Sequence, residues 1–95
     1  MANRIEGQIT AVDSFGNLVT DITRAQLAAA PTDETVRIVC DEHETLGIFS
    51  AYTDQPPMTL IALVGSTGTL ELAIVDESAA LMLGIKPGAK VQVTW

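Results

Sequence analysis

The chain has 95 residues, of which 47% are hydrophobic and 18% charged, and 12 acidic against 5 basic side chains give it a formal net charge of −7. This charge argues against a nucleic-acid partner, because binding to phosphates needs clustered lysine and arginine. The length corresponds to one small domain with a limited core of its own. The apolar fraction is large for such a domain, so we expect a homo-oligomer.

The sequence also suggests a compartment. Its single cysteine, Cys40, cannot form an internal disulfide, which fits a reducing environment. No signal peptide opens the chain, and the longest apolar run is too short to span a bilayer. We therefore expect a cytoplasmic protein with no membrane partner.

The N-terminal half predicts short strands separated by turns. A first strand, 4–12, contains Gly7 as a candidate bulge, and a turn over 13–17 precedes a short extended segment, 18–20. Thr23 is a candidate cap for a short helix that Pro31 ends. Two further strands, 35–40 and 45–52, flank an acidic turn over 41–44.

The C-terminal half predicts a hairpin around which the other elements are arranged. The apolar run 58–64 is typical of a strand buried on both faces, and 70–75 returns beside it after the turn 65–68. Asp76 is a candidate N-cap for a helix that Gly84 ends, and a last strand, 90–95, places Val91 and Val93 on one face. The pattern predicts an all-β fold, a small barrel or sandwich of about six to seven short strands with two short helices.

Two ordered blocks resemble the C-terminal domain of the S-adenosyl-L-methionine hydroxide adenosyltransferase family, which also contains fluorinating and chlorinating enzymes. The first is DSFGNLVTDI at 13–22, and the second is GSTGTLELA at 65–73. Ser78-Ala79 and the ending LGIKPG at 83–88 follow in matching order, and Tyr52 falls where the family carries an aromatic residue. The order and spacing of these blocks agree over nearly the whole chain.

This resemblance implies a small β-barrel that holds the adenine and part of the methionine of S-adenosylmethionine. It implies a trimer whose active sites lie between the N-terminal domain of one subunit and the C-terminal domain of the next. The family reaction is hydrolysis of S-adenosylmethionine to adenosine and methionine, or halogenation. Nothing in residues 1–95 corresponds to the catalytic N-terminal domain, so we expect a single ligand-binding domain that is not catalytic alone and uses no cofactor besides S-adenosylmethionine as ligand.

The resemblance also implies where the ligand lies. It places the adenine at an asparagine and an aromatic residue, the methionine amino group at a carboxylate, and the methionine carboxylate at the second turn. An aliphatic residue stands where halogenating members carry a second aromatic, and a threonine where some members carry a basic residue; these are Val19 and Thr67. The expected ligand-binding residues are Asp13, Phe15, Asn17, Val19, Tyr52, Ser66, Thr67 and Asp76.

Structural interpretations of these residues remain open beside the functional ones. Asn17 and Asp13 are also typical turn residues, Tyr52 is a candidate core aromatic, and Asp76 is a candidate helix cap. We expect Glu71 to face water without a catalytic role. We also expect His43 to lie in a solvated acidic loop rather than a metal site, because consecutive turn residues rarely converge on one ion.

Two other functions compete with ligand binding. The first is a structural module, a trimerising barrel that keeps the fold and binds no ligand. The second follows from 83–93, which resembles strand entries of small swapped-hairpin DNA-binding barrels; the net charge of −7 opposes it. A reactive thiolate at Cys40 has no support, because no basic residue neighbours it in sequence.

Overall fold

The computed structural model describes residues 3–49, 55–66 and 68–95. This part of the chain contains seven β-strands, one α-helix and one 3-10 helix. The 3-10 helix, Gln26–Ala29, follows β2, and the α-helix α1, Ala79–Leu83, lies between β6 and β7. The strands are β1 Arg4–Val12, β2 Leu18–Thr23, β3 Arg37–Cys40, β4 His43–Leu46, β5 Leu60–Val64, β6 Thr69–Ile74 and β7 Lys90–Thr94.

The strands form one antiparallel sheet in the order β4-β3-β7-β1-β2-β6-β5, which curls into a nearly closed barrel. At the seam, the Thr45 hydroxyl of β4 donates to the Leu60 carbonyl of β5 across 2.9 Å. Beyond β4, the Phe49 N–H donates to the Ala62 carbonyl at 2.7 Å. The two edge strands, β4 and β5, thus face each other across the seam, which limits access of other chains to their edges. The predicted small all-β barrel is confirmed.

Two apolar clusters bury the two faces of the β5–β6 hairpin, as the sequence predicts. One face of the hairpin is buried in the barrel interior. Val91 and Val93 of β7, both 0% exposed, lie in the same interior cluster. The opposite face carries a smaller cluster against which Phe49 packs: Ile61, Leu63, Ala73 and Val75. The hairpin is therefore the most deeply buried part of the sheet.

The structure corrects two details of the strands. Gly7 pairs regularly with Val91, and the irregular register of β1 falls instead between Ile9 and Ala11. Gly7 is needed for space, because a Cβ there would collide with the side chains of β2. His43 does not lie in a loop but opens β4, where it pairs with Cys40, so the turn is shorter than 41–44.

Both helices are shorter than predicted. At the first, the Thr23 hydroxyl accepts from the Gln26 N–H at 3.2 Å and the Gln26 side chain accepts from the Thr23 N–H at 2.8 Å, the reciprocal pattern of a capping box. At α1 the N-cap is Ser78, whose hydroxyl accepts from Leu81 N–H at 3.2 Å. Neither helix, within the residues described, has the length and apolar character to cross a membrane.

Asp76 is therefore not the cap of α1, contrary to the prediction. Its backbone is left-handed, with φ of 64°, and it turns the chain sharply after β6. The Glu77 N–H donates to the Ile74 carbonyl at 3.1 Å across this turn. The turn occupies the positions that a longer helix would need, so α1 begins two residues later and ends, as predicted, at Gly84 with φ of 68°.

We expect Ser78→Ala to destabilise the protein by about 1 kcal/mol, because the substitution removes the acceptor for an N–H at the start of α1. Urea denaturation measures the change. Ser14→Ala is the matched control, since Ser14 is exposed in the neighbouring loop. Equal stability of the two variants would contradict a capping role for Ser78.

Candidate functional site

The loop 13–17 is built around the Asp13 carboxylate. Its Oδ1 accepts from the N–H groups of Phe15 and Asn17, each at 2.9 Å. The Gly16 N–H donates to the Asp13 carbonyl at 3.0 Å, and Gly16 has φ of 85°. Asp13 thus forms the turn, the structural role that the sequence left open, and this turn presents Phe15 and Asn17 side by side.

A surface pocket of about 490 Å³ lies beside this loop. The loop precedes β2, and the antiparallel pairing of Leu18 with Leu72 brings it to the end of β6. The Ala80 N–H donates to the Gly16 carbonyl at 2.9 Å, which holds α1 against the loop. The pocket is lined by Phe15, Asn17, Ile74, Asp76, Glu77 and Ser78.

Three of the predicted site residues share this pocket but differ in exposure. Phe15 lines the pocket but is 78% exposed, so its ring is accessible from solvent. Asn17 is only 3% exposed and forms part of the wall. Asp76 is exposed beside Glu77, which gives the rim a negative charge. The pocket therefore combines an open aromatic ring, a buried amide and acidic groups.

The second predicted block comprises most of β6 and the turn 65–68, which lies at the other end of that strand from the pocket. The turn 65–68 is closed by Gly68 N–H donating to the Gly65 carbonyl at 3.0 Å, and Ser66 is exposed on it. The Arg24 N–H donates to the Gly68 carbonyl at 2.9 Å, which ties the turn to the far end of β2. Val19 is half-buried between the two ends. Tyr52 and Thr67 lie outside the described residues.

Glu71 is a residue that the sequence analysis misplaced. It is 7% exposed rather than facing water, because it lies at the centre of β6 between Val19 of β2 and Leu63 of β5. Burial raises the pKa of its carboxyl, the nearby charge of Asp13 raises that pKa further, and a hydrogen bond from the Asn17 side chain lowers it. The available signal was a single carboxylate within an otherwise apolar strand.

Glu71 also contacts the turn 65–68, which begins the second block. A Cβ added at Gly65 would occupy the position of the Glu71 carboxylate. Glu71, itself a residue of the second block, therefore touches Asn17 of the first block and Gly65 of the turn 65–68. It links two positions, 17 and 65, that are 48 residues apart in sequence. Ile74, Glu77 and Ser78 also line the pocket but were not among the expected ligand-binding residues, although Ser78 belongs to a segment that carries the family resemblance.

A family model matches a stretch of the sequence that contains both blocks. The model of the SAM hydroxide adenosyltransferase C-terminal domain matches residues 7–92, which include the loop 13–17, the turn 65–68 and every residue that lines the pocket. The chain belongs to this family. No curated protein matches the chain.

Two solved structures are similar to this SAM hydroxide adenosyltransferase C-terminal domain. An uncharacterized conserved protein from Thermotoga maritima is 26% identical with a TM-score of 0.80, over 95% of this chain and 35% of that one. A conserved hypothetical protein from Thermus thermophilus is 28% identical with a TM-score of 0.75, over 93% of this chain and 34% of that one. The domain thus spans about a third of the length of these two proteins.

We expect the domain to lose stability, relative to its Glu71→Gln variant, as pH rises from the ordinary pKa of a glutamate towards the raised pKa of Glu71. The folded state holds this proton to higher pH than the unfolded state does, so ionisation opposes folding in that window. Above the raised pKa the difference stays constant. Urea denaturation at a series of pH values measures it, and a difference that does not change with pH would contradict the prediction.

The other titratable side chains singled out in the sequence lie away from this pocket. Cys40 is buried in β3, where burial and then the charge of Asp41 raise the pKa of its thiol to about 11. Such a thiol is not a reactive thiolate at neutral pH. Across the described ranges, no three His, Cys, Asp or Glu side chains gather as a metal site requires, His43 included.

Proposed function

We propose that this domain provides the adenosyl half of a binding site for S-adenosylmethionine or adenosine and does not catalyse a reaction alone. The observation that carries the proposal is the pocket itself. It joins an open aromatic ring, Phe15, with a buried amide, Asn17, and both belong to the sequence block that matches the family. A planar, apolar base with hydrogen-bonding edges fits this pair.

Each group has a defined task in this proposal. The Asn17 amide can pair a donor and an acceptor with one edge of adenine. Phe15 offers a ring face for stacking, which is typically worth about 1–3 kcal/mol per base, and Tyr52 is proposed as a second stacking residue. Asp13 and Asp76 contribute negative charge near the positively charged groups of S-adenosylmethionine.

The methionine part of the ligand is proposed to extend along β6. Ser66 lies at the far end of that strand and Val19 between the two ends. A ligand that contacts both the loop 13–17 and the turn 65–68 must therefore run past Val19, with its carboxylate at Ser66 and Thr67. The aliphatic side chain of Val19 favours the hydroxide-using branch of the family over the halogenating one.

A second domain or subunit is proposed to complete the site. The pocket is open to solvent, and apolar side chains beside it are exposed: Phe15 at 78%, Leu81 at 86% and Met82 at 49%. The two solved relatives extend well beyond the region that this chain matches. We infer that the groups that activate hydroxide or halide come from such a domain, within a trimer in the reducing cytoplasm.

The exposed apolar residues also favour a second candidate function. A trimerising barrel without ligand would bury Phe15, Leu81 and Met82 between copies, which requires no pocket chemistry. Light scattering cannot separate the two functions, because both include an oligomer. Ligand titration separates them.

The test is an amide-resolved NMR titration of the 95-residue chain with adenosine and with S-adenosylmethionine. We expect shifts confined to the loop 13–17, the turn 65–68, residues 76–78 and Tyr52. Cytidine is the control ligand, because its base presents a different edge and a smaller ring. If neither adenosine nor S-adenosylmethionine causes shifts at millimolar concentration, the domain does not bind these ligands, and the structural module is the favoured function.

A further inference from the structure

We propose that Glu71 is a positioning residue of the adenosyl pocket, which fixes the orientation of the Asn17 amide and couples it to the turn 65–68. The inference rests on the proposed function, because it describes how that pocket distinguishes its ligand. Glu71 does not line the pocket. It acts through Asn17 and Gly65.

The position of Glu71 gives it little freedom to act as a surface charge. The residue is 7% exposed at the centre of β6, with paired strands on both sides. Its neighbours on the same face are apolar: Ala73 of β6 and Leu63 of β5 belong to the outer cluster. A carboxylate in such surroundings is stable only with specific partners, and the Asn17 side chain is one of them.

The hydrogen bond between Glu71 and Asn17 selects one orientation of the amide. This hydrogen bond lowers the pKa of the Glu71 carboxyl, as expected of a bond donated to the carboxylate, so the Asn17 amide nitrogen is the donor. The two ends of an amide are otherwise interchangeable by a flip. A fixed amide presents one pattern of donor and acceptor, and this pattern distinguishes an amino group from a carbonyl on the edge of a base. Glu71 thereby contributes to discrimination between adenine and hypoxanthine.

Gly65 allows the same carboxylate to lie against the turn 65–68. The backbone of Gly65 is not left-handed, so conformation alone does not require glycine there. Space requires it, because a Cβ at this position would overlap the Glu71 carboxylate. The carboxylate therefore lies directly against the turn that carries Ser66. Any shift of this turn is transmitted to Asn17 through one side chain.

The first experiment compares Glu71→Ala with Glu71→Gln. We expect Glu71→Ala to weaken adenosine binding about tenfold, to reduce the adenosine-to-inosine preference, and to shift the Asn17 side-chain amide resonances. Glu71→Gln keeps an acceptor oxygen in the same place and should restore all three. Glu34→Ala removes an exposed carboxylate and is the control.

The second experiment is a double-mutant cycle with Gly65→Ala. Alone, Gly65→Ala should displace the Glu71 carboxylate and shift the Asn17 side-chain resonances. In the Glu71→Ala background the same substitution should shift them little, because the overlapping group is gone. Equal shifts in both backgrounds would overturn the coupling between Gly65 and Asn17 through Glu71.

The outcomes separate this inference from the proposed function. If the wild-type protein binds adenosine but Glu71→Ala leaves both affinity and the adenosine-to-inosine preference unchanged, the inference fails and the proposed function stands. If the wild-type protein binds neither nucleoside at millimolar concentration, the proposed function is wrong, and the inference that rests on it is wrong as well. Dispersed amide spectra of both Glu71→Ala and Glu71→Gln show that folded variants are being compared.

Discussion

Replacing Gly16 with alanine is expected to destabilise the protein by about 2–5 kcal/mol, since two costs add. Gly16 has φ of 85°, which is unfavourable for any residue with a Cβ. A Cβ there would also overlap the Ser78 hydroxyl and lie 2.6 Å from the Ser78 Cβ and 2.9 Å from its Cα. The Cα is backbone and cannot rotate away, so α1 must move from the loop. Urea denaturation measures the loss.

Gly84→Ala is the matched control for Gly16→Ala. Gly84 also has a left-handed backbone, with φ of 68°, but a Cβ there meets nothing within 4 Å. The control therefore carries the conformational cost alone, about 1–2 kcal/mol. A Gly16→Ala variant no less stable than Gly84→Ala would show that α1 does not pack tightly on the loop 13–17.

Asn17→Ala is expected to weaken adenosine binding about 10- to 100-fold. This range corresponds to the loss of the two hydrogen bonds that the Asn17 amide would make with one edge of adenine. It should also destabilise the protein by about 1–3 kcal/mol, because the buried Glu71 carboxylate loses the hydrogen bond from Asn17. NMR titration with adenosine gives the affinity and urea denaturation the stability. Two separate measurements are needed because one side chain serves both the fold and the proposed site.

Asn3→Ala is the control for Asn17→Ala, since Asn3 is an exposed asparagine whose backbone pairs with Trp95. It should change neither affinity nor stability by a measurable amount. Unchanged adenosine affinity in a folded Asn17→Ala variant would remove Asn17 from the pocket. Unchanged stability would show that Glu71 does not depend on its hydrogen bond.

Much of the fold follows from local sequence. The apolar runs on either side of the turn 65–68 predict a hairpin buried on both faces, and the structure confirms it. The alternation at Val91 and Val93 predicts one buried face of β7, and Gly84 predicts the end of α1. These signals are local because periodicity and left-handed turns depend on residues that are neighbours along the chain.

Two errors lie where the backbone pairing of a turn or hairpin competes with the preference of a polar side chain. Asp76 has the side chain of an N-cap residue, but in the turn after β6 its backbone is left-handed. Ser78 is therefore the N-cap of α1. His43 has polar neighbours on both sides, but pairing with Cys40 places it in β4. In both cases the backbone hydrogen bonding of a tight turn or hairpin prevails over the structure that the polar side chains favour.

The sequence by itself determined an acidic, all-β barrel and the family to which it belongs, because composition, periodicity and the order of motifs depend only on the order of residues along the chain. Only the tertiary structure decided which residues meet. The pairing of β2 with β6 brings the loop 13–17 to the turn at Asp76, and it buries Glu71 between Asn17 and Gly65. A single carboxylate within an apolar run is a local signal of burial, but no local pattern identifies its partners, because these depend on what the neighbouring strands place beside it.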